Sequence, residues 1–199
     1  MDSYSGVYIF EGIDNVGKTT IIQALKQKIQ ETTDYKCVNV AFPGNEPRTL
    51  GNLVYRIHHQ QEQYFDVPIN ETSLQILHIA AHIDLIHRQL KPLGNSRCIV
   101  LLDRFWWSTY VYGLTGGVEE YIIQSIIAPE LLYWKDINIK KIFLIERNKR
   151  QKDYGSNKEN AIIGKYRELA EKEVICEKLN NNESLEEATD KVYKSIFGE

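Results

Sequence analysis

Val7-Tyr8-Ile9-Phe10-Glu11-Gly12-Ile13-Asp14-Asn15-Val16-Gly17-Lys18-Thr19-Thr20 decides how the rest of the chain is read. Gly12, Gly17, Lys18 and Thr19 fill the phosphate-loop pattern GxxxxGK(S/T) without a mismatch. The flanks suit that chemistry. Val7–Phe10 reads as a short buried strand that anchors the loop, and Thr20–Gln30 reads as the helix that follows it. Glycines let backbone N–H groups wrap a triphosphate, and the helix N-terminus adds partial positive charge. Lys18 then reaches the β- and γ-phosphates, and Thr19 offers its hydroxyl to Mg²⁺.

The 199 residues carry 24 Lys and Arg against 27 Asp and Glu, a formal charge of −3. That length fits one domain with a core large enough to need no covalent staples. A nucleic-acid-coating protein normally presents a basic surface, so no nucleic-acid partner is expected. Cys37, Cys98 and Cys176 lack zinc or redox spacing and read as reduced thiols, which predicts a cytoplasmic protein. Met1–Gly6 has no basic region followed by a long apolar stretch, so no secretory signal is expected. No run reaches the ~18 apolar residues that a membrane span requires, so no membrane partner is expected.

Outward from the loop, four apolar runs stand out: Val7–Phe10, Cys37–Phe42, Cys98–Leu102 and Lys141–Ile145, with a weaker fifth at Val174–Leu179. Amphipathic stretches separate them at Thr19–Gln30, Pro47–Gln61, Glu71–Leu93, Trp106–Tyr112, Val118–Tyr133, Ala161–Lys172 and Leu185–Phe197. Short buried strands alternating with helices predict an α/β fold with a mostly parallel sheet. Ser184 with Glu187 three residues on makes a capping box for the last helix. The charge-dense segment 146–160 follows a strand end, where ligands of open α/β sheets bind, and reads either as a solvated loop or as a basic lid over phosphates.

A second constellation follows the third strand: Leu102-Asp103-Arg104-Phe105-Trp106-Trp107-Ser108. A carboxylate ending a buried strand suits a role near Mg²⁺ or the attacking group. Arg104 beside it offers a planar fork for a phosphate. Ser108 and Tyr112 share its helical face, being four and eight residues on. Trp106, Trp107 and Tyr110 read as packing aromatics.

These motifs together resemble the thymidylate kinases, nucleoside-monophosphate kinases of the phosphate-loop superfamily. Phe10-Glu11-Gly12-Ile13-Asp14 before Gly17-Lys18-Thr19 is similar to that family's FEGxDxxGK(S/T) opening, and Asp103-Arg104-Phe105 with Ser108 to its DRYxxS motif. Phe42-Pro43 with a nearby arginine, Tyr166-Arg167-Glu168-Leu169-Ala170, and the final strand and helix match in order, so the likeness covers nearly the whole chain. It implies a three-layer α/β sandwich around a five-stranded parallel sheet, the P-loop NTPase (nucleotide kinase) fold. Residues 1–199 would form a single kinase domain with a lid around 146–160. It implies transfer of the ATP γ-phosphoryl to dTMP or a related nucleoside monophosphate, with ATP as co-substrate and Mg²⁺ as cofactor, and a homodimer.

By the same resemblance Gly12, Asn15, Val16, Gly17, Lys18, Thr19 and Thr20 hold ATP. Thr19 and Asp103 serve the metal. Lys18, Asp103 and Arg104 are catalytic, and Asp14, Phe42, Arg48, His78, His82, Arg104, Ser108 and Tyr112 receive the acceptor. Family members carry a catalytic arginine either in the phosphate loop after the Asp or in the lid. Here the loop position is Asn15, so the lid must supply the charge. Arg147 and Arg150 are available; Arg150 is preferred, because Arg147 sits at its strand's end. Two other departures touch the acceptor. The family's base-stacking aromatic and base-bonding arginine read His78 and His82, which share a helix face and also fit a metal-binding pair or unrelated surface histidines. Arg48 matches the family's phosphate-contacting arginine only across a small gap. Two other functions stay open at this point. One is a nucleoside kinase using Asp103 as general base toward a bare 5′-hydroxyl. The other is a nucleotide-binding regulatory protein without turnover.

Overall fold

A computed structural model describes residues 4–93, 97–147 and 157–198. Five strands, β1 (Gly6–Glu11), β2 (Lys36–Ala41), β3 (Cys98–Asp103), β4 (Ile139–Glu146) and β5 (Cys176–Asn180), form one sheet in the order β2-β3-β1-β4-β5. All four pairings are parallel. The period-two alternation of side chains builds two cores. Val7, Ile9, Val100, Leu102, Ile142 and Leu144 face one side, whereas Tyr8, Phe10, Ile99, Leu101, Phe143 and Ile145 face the other.

The second face is covered by α1 (Lys18–Thr32) through Ile21, Ile22, Leu25 and Ile29, and by α8 (Leu185–Phe197) through Ala188, Val192, Tyr193 and Ile196. The first face carries α2 (Leu50–His59), α3 (Glu71–Leu85), α5 (Trp106–Thr115), α6 (Glu120–Trp134) and α7 (Asn157–Lys172). Helices on both faces of a parallel sheet make the three-layer α/β sandwich expected above.

Several boundaries differ from the expected ones, among them those of α2, the stretch 71–93 and β5. α2 begins at Leu50 because Thr49, extended at φ −109°, caps it: its Oγ1 accepts the Asn52 N–H at 3.1 Å. The stretch 71–93 is not one regular helix. α3 passes through a π-helical turn (Ile86–Leu90) into the single turn α4 (Lys91–Leu93). β5 starts at Cys176, and Val174 lies 98% exposed ahead of it. The capping box at α8 is present: Ser184 Oγ accepts Glu187 N–H at 3.2 Å, and Glu187 Oε2 accepts Ser184 N–H at 2.9 Å.

The register sets the site. Phe10 and Ala41 both pair with Asp103, so β1, β2 and β3 end side by side. Two further hydrogen bonds extend that edge, Arg104 N–H to Phe10 O at 3.0 Å and Phe42 N–H to Asp103 O at 2.9 Å. The phosphate loop, Phe42-Pro43 and Asp103-Arg104 therefore share the carboxyl end of the sheet, where the chain turns from β1 to neighbours on either side.

Candidate active site

Backbone geometry shapes the phosphate loop. Gly12 has φ +135°, and a Cβ there would lie 2.3 Å from the Ile145 carbonyl oxygen. Gly17 has φ +96° and lies against Asn181, whose Nδ2 donates to the Val16 carbonyl at 2.7 Å. Only glycine satisfies both the left-handed backbone and the close approach. Asn15 also sits at φ 62° and is exposed, whereas Val16 is buried and anchors the loop in the α1 core. Thr20 is exposed at the start of α1.

Lys18 is buried and folds back on its own loop. Its Nζ donates to Gly12 O at 2.8 Å and to Ile13 O at 2.7 Å. Burial first, and then the charge of Arg104, bring its pKa down to about 8 against the pull of Asp103, Glu11 and Asp14. Thr19 Oγ1 donates to Asp103 Oδ2 at 2.7 Å, which joins the loop to the end of β3. That pair, a hydroxyl and a carboxylate, is the hard-oxygen donor set that Mg²⁺ takes alongside phosphate and water. Among the described residues no group of three or more His, Cys, Asp and Glu side chains is arranged to hold a metal.

Glu11, fully buried, organises the next layer. Its Oε1 accepts the N–H groups of Phe105 at 2.7 Å and Ser108 at 3.1 Å, and its Oε2 accepts Ser108 Oγ–H at 2.9 Å. Desolvation raises its pKa, against Arg104 and Lys18. Ser108 Oγ in turn accepts from Arg104 Nη1 at 2.9 Å and lies 2.8 Å from the Tyr166 hydroxyl. Arg104, at φ 76°, is thus aimed by its neighbours. Its other terminal nitrogen pairs with Asp14 Oδ1, and its guanidinium lies 5.6 Å above the Tyr112 ring. Tyr112 OH donates to Asp14 Oδ2 at 3.2 Å. Burial opposes the charge of Arg104, but Tyr166, Glu11 and Asp14 more than offset it and its pKa rises.

Two cavities meet at this arginine. One, of about 380 Å³, is lined by Asn15, Gly17, Lys18, Thr19, Thr20 and Asp103. The other, of about 460 Å³, is lined by Tyr55, His58, His59, Gln75, His78, His82, Ser108, Thr109 and Tyr112. Asp14, Thr19, Phe42 and Arg104 belong to both. In the second cavity His58 Nδ1 and His78 Nε2 are 3.0 Å apart, and desolvation lowers the pKa of His58 and brings that of His78 well below its usual value. His82 is buried, stacked on Phe42 at 4.1 Å between ring centres, with Nδ1 3.0 Å from Glu130 Oε2.

Beyond the phosphate loop and Asp103, the candidate residues fall into three groups. Asp14, Phe42, His78, His82, Arg104, Ser108 and Tyr112 line one cleft. Arg48 is exposed, with φ 66°, and lines neither cavity. Arg147 is exposed just beyond β4, and Arg150 lies outside the described residues. Trp107 is buried in the core, with Trp106 and Tyr110 packed against it, as expected. Glu11, Gln75, Thr109, Glu130 and Tyr166 escaped the sequence reading as site groups. Glu130 had a visible signal: it lies on the buried stripe of α6 with Ile123, Ile127 and Trp134, where a carboxylate needs a partner.

A family model for thymidylate kinase matches residues 10–192. The chain belongs to the thymidylate kinase family. Thymidylate kinases of Mycoplasma mobile and Buchnera aphidicola are each 30% identical to it, over 152 and 139 residues; the matches cover 72% and 69% of this chain and 70% and 62% of those proteins. The thymidylate kinase structure from Ehrlichia chaffeensis has the same fold, with a TM-score of 0.77 at 20% identity, over 96% of this chain and 98% of that one. That of Candida albicans superposes with a TM-score of 0.73 at 14% identity, over 98% and 92%. As a thymidylate kinase family member the chain is an ATP-dependent phosphotransferase of the P-loop kinase fold. None of its helices, among the described residues, is long and apolar enough to cross a membrane.

Proposed function

We propose that this chain transfers the γ-phosphoryl of ATP to the 5′-phosphate of dTMP or a closely related deoxynucleoside monophosphate, giving the diphosphate and ADP. One observation carries the reading: the phosphate-loop cavity and the histidine-lined cleft share Asp14, Thr19, Phe42 and Arg104. A donor phosphate and an acceptor phosphate would thus meet at one guanidinium.

The roles follow from the contacts. Gly12, Gly17 and the α1 N-terminus cradle the ATP phosphates, and Lys18 exchanges its two loop carbonyls for phosphate oxygens. That exchange gives the ammonium charge, which burial opposes, an anionic partner. Thr19 and Asp103 would hold Mg²⁺, which when bound neutralises phosphate charge. Arg104 is held by Ser108 and paired with Asp14; a dianionic acceptor phosphate competes with that single carboxylate for the fork. Asp14 and Tyr112 then meet the sugar. Arg147 or Arg150 supplies the transferring group with the cation that Asn15 lacks, with Arg150 preferred. Asp103 is engaged with Thr19 and so sits on the metal side, away from the general-base role a nucleoside kinase would need. We extend the reading to a cytoplasmic enzyme, in keeping with the buried free thiols of Cys37 and Cys98. We extend it also to a homodimer, as the family likeness implies.

The test is a panel of nucleosides and nucleoside monophosphates incubated with ATP and Mg²⁺, with products separated by chromatography. Diphosphate from dTMP, and none of the monophosphate from thymidine, is the expected result. Phosphorylation of nucleosides alone, or no transfer to any acceptor, overturns the proposal.

A further inference from the structure

Tyr166 lies on the buried stripe of α7 with Ile162 and Ala170, four residues to either side. It is 1% exposed, and its ring belongs to the same core as Trp107 and Val111 of α5. It lines neither of the two cavities that meet at Arg104. Packing alone asks for no hydroxyl at this place, since phenylalanine fills the same space and leaves no buried polar atom to satisfy. The hydroxyl is nonetheless met, 2.8 Å from Ser108 Oγ. Burial first, and then the charge of Glu11, hold the phenol's pKa well above its usual value against the pull of Arg104, so the group stays neutral.

Ser108 Oγ is the junction. It meets Glu11 Oε2 at 2.9 Å, Arg104 Nη1 at 2.9 Å and the Tyr166 hydroxyl at 2.8 Å. A serine hydroxyl has one O–H and two acceptor positions, so three partners fill it. Arg104 can only donate, and it takes one acceptor position. The tally closes with Glu11 ionised, when Ser108 donates to it and accepts from Tyr166. It closes equally with Glu11 protonated, when Ser108 accepts from it and donates to Tyr166. The bond between Tyr166 and Ser108 is present in both states. Arg104 leans on this junction. Its backbone sits at φ 76°, and its other terminal nitrogen pairs with Asp14, a 66% exposed side chain on the phosphate loop. An acceptor phosphate that displaces Asp14 leaves Ser108 to aim the fork.

We infer that Tyr166 is a positioning residue for recognition of the acceptor phosphate: from outside the cleft its hydroxyl fixes Ser108, and Ser108 fixes the Arg104 fork. The inference rests on the proposed acceptor role of Arg104. The tyrosine ring is held by the core of α7, so its hydroxyl is a fixed point from which the serine and then the guanidinium take their places. The consequence falls on the phosphate alone. A nucleoside enters the same cleft without using the fork, so the hydroxyl matters for the monophosphate and not for the nucleoside.

The experiment measures equilibrium binding of dTMP and of thymidine, which differ only by the phosphate, in the absence of ATP. The proteins are wild type, Arg104→Ala, Tyr166→Phe, Ser108→Ala and the double variant of the last two. Wild type is expected to bind dTMP ~10–100-fold more tightly than thymidine, and Arg104→Ala to bring the two within about threefold. Tyr166→Phe keeps the ring and is expected to cut the preference for dTMP about fivefold, with thymidine binding unchanged. A purely structural role would weaken both ligands together. Ser108→Ala cuts the same link from its other end, so adding Tyr166→Phe to it is expected to change the preference less than about twofold. A Tyr166→Phe preference equal to wild type, a loss that falls equally on dTMP and thymidine, or a full further loss in the Ser108→Ala background overturns the inference while leaving the acceptor site standing. A wild type that binds dTMP and thymidine equally, with Arg104→Ala no different, counts against the proposed acceptor site itself, and the inference falls with it.

Discussion

Lys18→Met makes the empty protein more stable while removing its response to ATP. Lys18 is 6% exposed. Burial, then Arg104, lowers its pKa from 10.5 to about 8. At ~1.4 kcal/mol per pH unit, holding that amine charged costs the empty fold about 3 kcal/mol. Methionine removes this cost together with the two hydrogen bonds to Gly12 O and Ile13 O, worth ~1 kcal/mol each. The balance is a gain of about 1 kcal/mol at pH 7, or a Tm higher by ~2–4 °C for a chain of this size. The sign is checked through proton binding. Below about pH 8 native and unfolded states both hold the proton, and the native state carries the full penalty. Between about pH 8 and 10.5 only the unfolded state holds it, so wild-type stability climbs with pH. The variant lacks that climb, and its advantage disappears as the pH rises. Thermal melts at pH 7 and pH 10, each with and without ATP and Mg²⁺, read all of this. A variant that melts below wild type at pH 7, or that ATP protects as well as wild type, refutes the reasoning.

Gly12→Ala forces a Cβ against the Ile145 carbonyl at φ +135°, so it should lose at least ~1–3 kcal/mol in urea unfolding from backbone strain alone. Asp103→Asn weakens the pair with Thr19 and should raise the Mg²⁺ concentration for half-maximal turnover ~10-fold or more, read from a magnesium titration. Arg150→Ala should lower kcat by roughly 10²–10³-fold with acceptor KM little changed; if Arg147→Ala does so instead, the lid cation is Arg147.

Much of the fold was legible because burial on both faces writes each central strand as a continuous apolar run, as in Cys98-Ile99-Val100-Leu101-Leu102. The phosphate loop was legible because its glycines answer to backbone conformation, which leaves a local mark at Gly12 and Gly17. The π-helical turn at Ile86–Leu90 left none, since its residues continue the apolar pattern of a regular helix. The site was legible where it is local, at Asp103-Arg104 and Ser108. It was hidden where partners are far apart in sequence: Glu11 meets Ser108 across 97 positions, and His82 meets Glu130 across 48. Such pairs depend on how α3, α5 and α6 cross, which no spacing rule encodes. Arg48 shows the converse: an arginine near the expected motif is turned out of both cavities by the loop that leads into the α2 cap.

The most direct measurement follows the γ-phosphoryl itself. ATP labelled at the γ-phosphorus is mixed with the protein, Mg²⁺ and dTMP, and the label is traced by chromatography. Label in dTDP is the predicted result, with Arg104→Ala reducing it sharply. Label found only in inorganic phosphate, or appearing in dTMP when thymidine is offered and never in dTDP, contradicts transfer to a monophosphate held at Arg104.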